Sequence, residues 1–290
     1  MTDPRLSFGS VAAAYDRGRP DYPREAVDWL VGSAHATVVE LGAGTGKLTA
    51  TLVDLGHNVF ATDPDDQMLD VLSTRLPDVR ATVGTAEQIP APDSSADVIV
   101  VAQAFHWFDL EKALPEIIRV LRPQGQIALV WNQFDTRIPW VRRLQAVLGQ
   151  APSREGMEHS LKFLDDSALF SAIDEKVFKH WQTINPQSLA DLANSRSVIS
   201  SLSESERDER LDAAMRLYEE YGRGMDGMQL PYLTHCYRAY ALPKNIIEVS
   251  KSIDIDDTMT GTNRALTDTA SRLPPIATGD DSGLILIDLT

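Results

Sequence analysis

The chain has 290 residues, 43% of them apolar, and a formal net charge of −15. That length fits one large domain or one domain plus an extension, and the apolar share supports a full core and excludes wholesale disorder. The acidic balance argues against nucleic-acid backbones and anionic membranes as partners, although local arginines can still bind a small anion. The single Cys236 excludes an internal disulfide framework and suits a reducing, cytoplasmic setting. Near the N-terminus stand Asp3, Pro4 and Arg5 without a long apolar run, so no signal peptide is expected. No stretch approaches the ~20 apolar residues of a membrane span, and no internal repeat is visible. Nothing in the composition sets an oligomeric state.

Residues 8–23 are rich in turn formers. Val11 to Tyr15 predicts a short helix that Gly18 and Pro20 end. Tyr15, Arg17, Arg19 and Tyr22 crowd this segment, which taken alone is also what a solvated surface loop looks like. Residues 25–33 follow, with Ala26, Val27, Leu30 and Val31 at helical spacing, the pattern of an amphipathic helix packed on a sheet.

Val38-Val39-Glu40-Leu41-Gly42-Ala43-Gly44-Thr45-Gly46-Lys47 comes next. β-Branched apolar residues predict a buried strand, glycine at every second position predicts a tight turn, and residues 47–55 predict a helix. This layout sets a ligand against a helix N-terminus at the edge of a parallel sheet. A side chain at the glycines would block the ligand, and some turn positions require positive φ. The spacing is G-x-G-x-G, not the G-x-G-x-x-G of dinucleotide sites, and Glu40 stands two residues before the first glycine. A carboxylate there would repel a diphosphate and suits a ligand that carries an ammonium group and no phosphate.

The stretch resembles motif I of the class I S-adenosylmethionine (SAM) methyltransferases. The resemblance implies that Gly42, Gly44 and Gly46 line the methionine and ribose part of SAM, and that Glu40 helps hold the amino group, directly or through water. It also implies that the 8–23 segment folds over the site as a lid, where Tyr15 and Arg19 reach the SAM carboxylate or an anionic substrate.

Asn58–Asp63 predicts the second strand. Asp63 ends it just under ~20 residues past the glycine turn, where an acid grips ribose hydroxyls in nucleotide and SAM folds; with Pro64 next and a helix over 65–76, it also suits an N-cap. Residues 79–83 predict a third strand. Gly84-Thr85-Ala86-Glu87-Gln88-Ile89-Pro90 resembles the loop that frames adenine, with Thr85 where many relatives carry Asp and the backbone near Ala86 left to read the ring edge. As plain sequence it is an ordinary turn before proline.

Residues 96–103 form the most apolar run and predict a central strand. It ends at Gln103 and leads into Ala104-Phe105-His106-Trp107-Phe108, on the loop that faces the ligand crevice of a doubly wound sheet. This run resembles small-molecule methyltransferases of the type that includes trans-aconitate methyltransferase, which implies that His106 and Trp107 face the methyl group or the substrate; the aromatics also suit simple core packing. A helix over 110–121, a turn at 122–125 and a fifth strand over 126–131 follow. Residues 137–150 predict a helix and the polar 152–166 a loop. A strand over 176–184, helices over 186–199 and 203–221, and a strand over 230–242 complete the pattern; the two late strands fit a closing antiparallel hairpin. The six histidines do not cluster at metal spacing and His235 and Cys236 would point to opposite faces of a strand, so no metal is expected.

The expected fold is α/β: a Rossmann-like class I methyltransferase sheet, mostly parallel, with a C-terminal antiparallel hairpin and helices on both faces. The methyltransferase domain is placed at 1–241, with the lid at about 1–23 and a helical insertion at about 186–222. Residues 242–290 form an acidic extension, read either as a mobile tail or as a segment whose Leu284-Ile285-Leu286-Ile287 pairs with a neighbour. The expected activity is SAM-dependent methylation of a small molecule, on a carboxylate oxygen. The rivals are a nicotinamide-type oxidoreductase and a SAM-binding regulator without turnover. The expected cofactor contacts are Glu40, Gly42, Gly44, Gly46, Asp63, Thr85, Ala86, Gln103 and Tyr15; His106, Trp107 and Arg19 are the expected catalytic residues.

Overall fold

The computed structural model describes residues 12–149, 154–196, 199, 202–221 and 227–243. The start of the lid, the end of the 186–222 insertion and nearly all of the acidic extension, with its apolar 284–287 run, lie outside the described residues.

Two short helices open the described chain, α1 (Ala12–Gly18) and α2 (Arg24–Val31). Strand and helix then alternate: β1 (Thr37–Leu41), α3 (Lys47–Asp54), β2 (Asn58–Asp63), α4 (Asp66–Arg75), β3 (Arg80–Val83), β4 (Ala96–Ala102), α5 (Leu110–Val120) and β5 (Leu121–Phe134). The second half supplies α6 (Pro139–Leu148), α7 (Arg154–Asp166), β6 (Asp174–Ile184), α8 (Pro186–Asn194), α9 (Glu204–Tyr221) and β7 (Met228–Tyr240). The sheet has the order β3-β2-β1-β4-β5-β7-β6. The first five strands are parallel, and β7 runs antiparallel to both β5 and β6. The doubly wound architecture is therefore as expected, with the hairpin closing one edge.

Period-2 alternation sorts the side chains of β1 and its neighbours between two cores. Val39 and Leu41 join Ile99, Val101, Ile127 and Trp131 under α5 and α7. Val38 faces the other way, with Val98, Val100, Ala128 and Val130, against α2 and α3. Glu40 shares the face of Val38 and is buried there. A third cluster joins α6, α8 and α9 to the ends of β5 and β7 through Phe134, Leu144, Leu189, Leu217 and Tyr232.

Three local expectations change. Residues 152–166 do not form a loop: α7 covers Arg154–Asp166. Its polar composition hides the buried Met157, Ser160 and Leu164 at helical spacing, and Met157 and Leu164 join the core that α5 covers. Strand β5 is also longer than the expected 126–131. Its far end pairs with β7 from Trp131↔His235 to Phe134↔Tyr232, so the hairpin extends it. The turn expected at 122–125 is a bulge inside this strand, where Ala96 faces Leu121 and Val98 already faces Gln126.

The helical assignment of α7 has a direct test. Leu164 is fully buried, so Leu164→Ala should cost about 2–5 kcal/mol in urea unfolding. A variant as stable as the parent would place residues 154–166 outside the core.

Candidate active site

The carboxyl ends of β1, β2 and β4 frame a cleft floored by the glycine turn. Gly42 and Ala43 donate their amides to the Thr62 carbonyl at 2.8 and 3.0 Å, which ties the turn to β2. Gly42, Gly44 and Gly46 have φ of +70°, +55° and +80°, so all three occupy the left-handed region that glycine tolerates best. What each would meet with a side chain differs. A Cβ at Gly42 would lie 2.7 Å from Ala104 Cβ and one at Gly46 2.8 Å from Leu72 Cγ, whereas one at Gly44 would meet nothing within 4 Å. Gly42 and Gly46 therefore serve close packing of the protein on itself, and Gly44 keeps space open over the cleft. Glycine is thus required at Gly42 and Gly46 by packing and backbone conformation as well as by any ligand.

Glu40 lies beneath this turn. Its Oε2 accepts a hydrogen bond from the Thr49 hydroxyl of α3 at 2.6 Å. Its Oε1 is buried with no partner, and among the described residues no cationic side chain pairs with it. Burial pushes its carboxyl up to about 8, the Asp63 charge adds to this, and the Thr49 bond opposes it. Thr45 Oγ1 and Gln103 Oε1 are likewise buried without partners, and both residues line the same cleft. Three orphaned polar atoms around one hollow are what a polar ligand would satisfy. Asp63 accepts from the amides of Gly44 and Asp65, each at 2.9 Å, and burial raises it to about 6. Each carboxylate oxygen keeps a further lone pair. The N-cap of α4 is Asp65, whose side chain accepts from Gln67 N, so Asp63 is free of the capping role that the sequence left open. The Gly84 amide donates to the Asp63 carbonyl, which places Thr85 and the buried Ala86 next along the same sheet edge.

The lid segment is anchored from three sides. Arg17 makes a two-bond contact with Asp191 of α8 at 2.8 and 3.0 Å. Asp16 meets Arg75 at 3.1 Å, and Asp21 meets Lys47 at 3.1 Å. Gly18 sits so close to α8 that a Cβ would fall 2.4 Å from Leu192 N. Tyr15, Arg19, Pro20 and Tyr22 thereby line the cleft opposite Glu40, Gly44 and Lys47. Arg19 donates from Nε to Ser195 Oγ and from Nη2 to the Ser195 carbonyl, both at 3.0 Å, and its guanidinium lies 5.1 Å from the Tyr15 ring centre.

A second cavity adjoins the first and shares Arg19, Pro20 and Gln103 with it. Gln103 is held at the junction with φ +58°, its Nε2 donating to the Asn132 carbonyl at 3.0 Å. Arg154 and Arg196 also line this cavity, with Asn132, Gln133, Gln145 and Tyr232, and no acidic side chain is among its described lining. Thr45, Thr49, Arg154 and Arg196 were not singled out in the sequence. Thr45 lies inside the glycine turn and Thr49 in the helix that follows it, whereas only folding brings Arg154 and Arg196 to the site. His106 and Trp107 occupy a 3-10 turn after β4. Their rings lie 4.8 Å apart, His106 Nδ1 is buried without a partner and Trp107 is 40% exposed, but neither lines the two cavities. Burial lowers His106 to about 4, so its ring is neutral near pH 7.

Glu40 links this geometry to stability. Its proton is bound more tightly folded, at about 8, than at its ordinary 4.5. As pH rises through this window the unfolded chain ionises first, so folding loses stability. The Tm of the ligand-free protein should fall across that window more steeply than in Glu40→Gln. Parallel Tm–pH curves would show that Glu40 ionises normally.

The comparisons with known proteins agree with this construction. The model of the methyltransferase domain family matches residues 39–129, from β1 into β5. A methyltransferase of Mycobacterium bovis is 44% identical over 241 residues, covering 82% of this chain and 96% of its own. One from Schizosaccharomyces pombe is 33% identical over 248 residues, covering 82% and 98%. The solved structure of a candidate type II methyltransferase from Anaeromyxobacter dehalogenans shares the fold, with a TM-score of 0.55 at 23% identity over 78% of this chain and 99% of that one. The chain belongs to the class I SAM-dependent methyltransferases.

Proposed function

We propose that this methyltransferase esterifies a carboxylate of a small anionic acceptor held in the second cavity, with SAM in the cleft above Glu40. Bound there, SAM supplies a methyl group on a positively charged sulfur. The observation that carries the acceptor reading is the junction of the two cavities: they meet at Arg19 and Gln103, and the second is lined by Arg19, Arg196 and the Glu158-paired Arg154, with no acidic side chain among its described lining, in a protein of charge −15. An anion is the ligand such a lining favours.

The chain's own residues divide the work. Glu40 would accept from an amino group through its orphaned Oε1, and the approach of a cation would draw off its proton. Asp63 would take ribose hydroxyls on its remaining lone pairs, while Gly44 leaves room for the ligand backbone-close. Ala86 and Thr85 stand at the edge where an adenine ring would lie. Arg19 spans both cavities and is the residue to orient a reacting carboxylate, whereas Arg17 is committed to Asp191. Such positioning accounts for much of the rate of a direct displacement, about 7–11 kcal/mol when reactants are aligned. A carboxylate is already ionised at neutral pH, so no base is required. The neutral, buried His106 is consistent with that.

Three measurements test this reading. Asp63→Ala should weaken SAM about 10–150-fold by calorimetry, the loss of ~1.5–3 kcal/mol expected for hydrogen bonds to a charged group. Arg19→Lys should slow methyl-ester formation although the charge is kept, because the fork is lost. His106→Ala should cost less than ~100-fold and leave the pH–rate profile without a limb near the ordinary histidine value of ~6.5. An acidic limb in the parent that vanishes in His106→Ala, with Arg19→Lys near normal, would point instead to a hydroxyl or amine acceptor deprotonated by His106.

A further inference from the structure

Arg196 is only 5% exposed, yet no carboxylate pairs with it among the described residues. Its Nη1 donates to the Gly149 carbonyl at 2.5 Å, its guanidinium lies 4.4 Å from the Phe134 ring centre, and its buried Nε has no partner. The contrast with the arginines that hold the fold is direct. Arg17, Arg119, Arg137 and Arg143 each meet a carboxylate within 3.2 Å. Burying a guanidinium with one hydrogen bond and no counter-charge is costly, and the face of the Phe134 ring offsets only part of that cost. Arg19 faces the same cavity, also without a carboxylate, and its charge is near enough to disfavour that of Arg196.

We propose that Arg196 is a specificity-determining residue, which binds an anionic group of the acceptor other than the group that is methylated. The inference rests on reading the second cavity as the acceptor site. Two observations separate the groups. Arg19 lines both cavities, whereas Arg196 lines only the second, so Arg196 lies away from the cofactor cleft. In addition, a methyl ester carries no charge, so a product whose only anionic group had been methylated would leave Arg196 buried and unmatched. A retained oxyanion keeps it neutralised through turnover, and its fork gives the contact direction as well as charge. The acceptor is therefore at least dianionic before reaction and still anionic after it.

The test uses the full chain loaded with S-adenosylhomocysteine, and succinate, sulfate and uncharged succinamide as probes. Succinate and sulfate should bind the parent by calorimetry, and succinamide should not. Arg196→Met should weaken both anions by ~10-fold or more, the size expected for a charge-assisted contact. Its affinity for S-adenosylhomocysteine should stay within about twofold. Ligand-free Arg196→Met should melt no lower than the parent, because an unmatched buried charge has been removed; a merely structural arginine would lower the Tm. If Arg196→Met does not fold, Arg196→Gln serves, since it is neutral and polar and should show the same loss. Anions that bind either folded variant as tightly as the parent, or a parent that binds neither anion, overturn the proposal. Product mass spectrometry keeps the two readings apart. An acceptor that needs Arg196 but gains its methyl on nitrogen or a hydroxyl would sink the carboxylate reading alone. A methyl ester formed equally fast by Arg196→Gln would sink this one alone.

Discussion

A carboxyl group with no cationic partner among the described residues lies near the end of β1, and the cleft under the glycine turn is built around it. Glu40 is buried because period-2 alternation turns it to the face that α2 and α3 cover. One oxygen is tied to Thr49, and the other ends beneath the glycine turn with no partner. Water cannot solvate that oxygen and the protein does not neutralise it, so the group holds a proton to about pH 8. This destabilises the ligand-free fold near neutrality, and the same energy becomes available to a ligand that brings a positive charge. Local rules broken at a functional position are the expected signature of a binding site.

The second half of the site repeats the logic with the opposite sign. Most arginines near the site are matched. Arg17 clasps Asp191 and Arg75 meets Asp16, and these pairs hold the lid helix against α8 and α4. Among the described residues Arg19 and Arg196 have no carboxylate partner, and both face the second cavity. A formal charge of −15 says nothing about this local field, because surface acids are screened within ~8–10 Å while a buried guanidinium is not. The cleft thus offers an acid to a cation at one end and arginines to an anion at the other, with Gln103 held in a strained backbone conformation between them.

The succession of strands and helices along the chain was largely legible from periodicity, since alternation and amphipathic spacing are local properties. Asn58–Asp63 lies where the β-branched run placed it, and the glycine turn and Asp63 announced a ligand edge. Residues 154–166 were not legible, because a helix with three buried positions among charges gives a weak apolar signal until α5 and the sheet supply its partner. The length of β5 depended on a strand a hundred residues further on, and so could not be read from its own composition.

By itself, then, the sequence determined the strand–glycine–helix layout, the acid before it and the acid after it, because each is written in neighbouring residues. Only the tertiary structure decided which glycine faces open space and which two face protein, since Ala104 and Leu72 arrive from other elements. It also decided that Arg17 pairs with Asp191 whereas Arg19 bonds Ser195 and lines both cavities, and that Arg196 is buried with no counter-charge among the described residues. The physical reason is the same in each case. Steric clearance and charge neutralisation depend on everything within a few ångströms, and most of what lies within that distance of this site comes from distant parts of the chain.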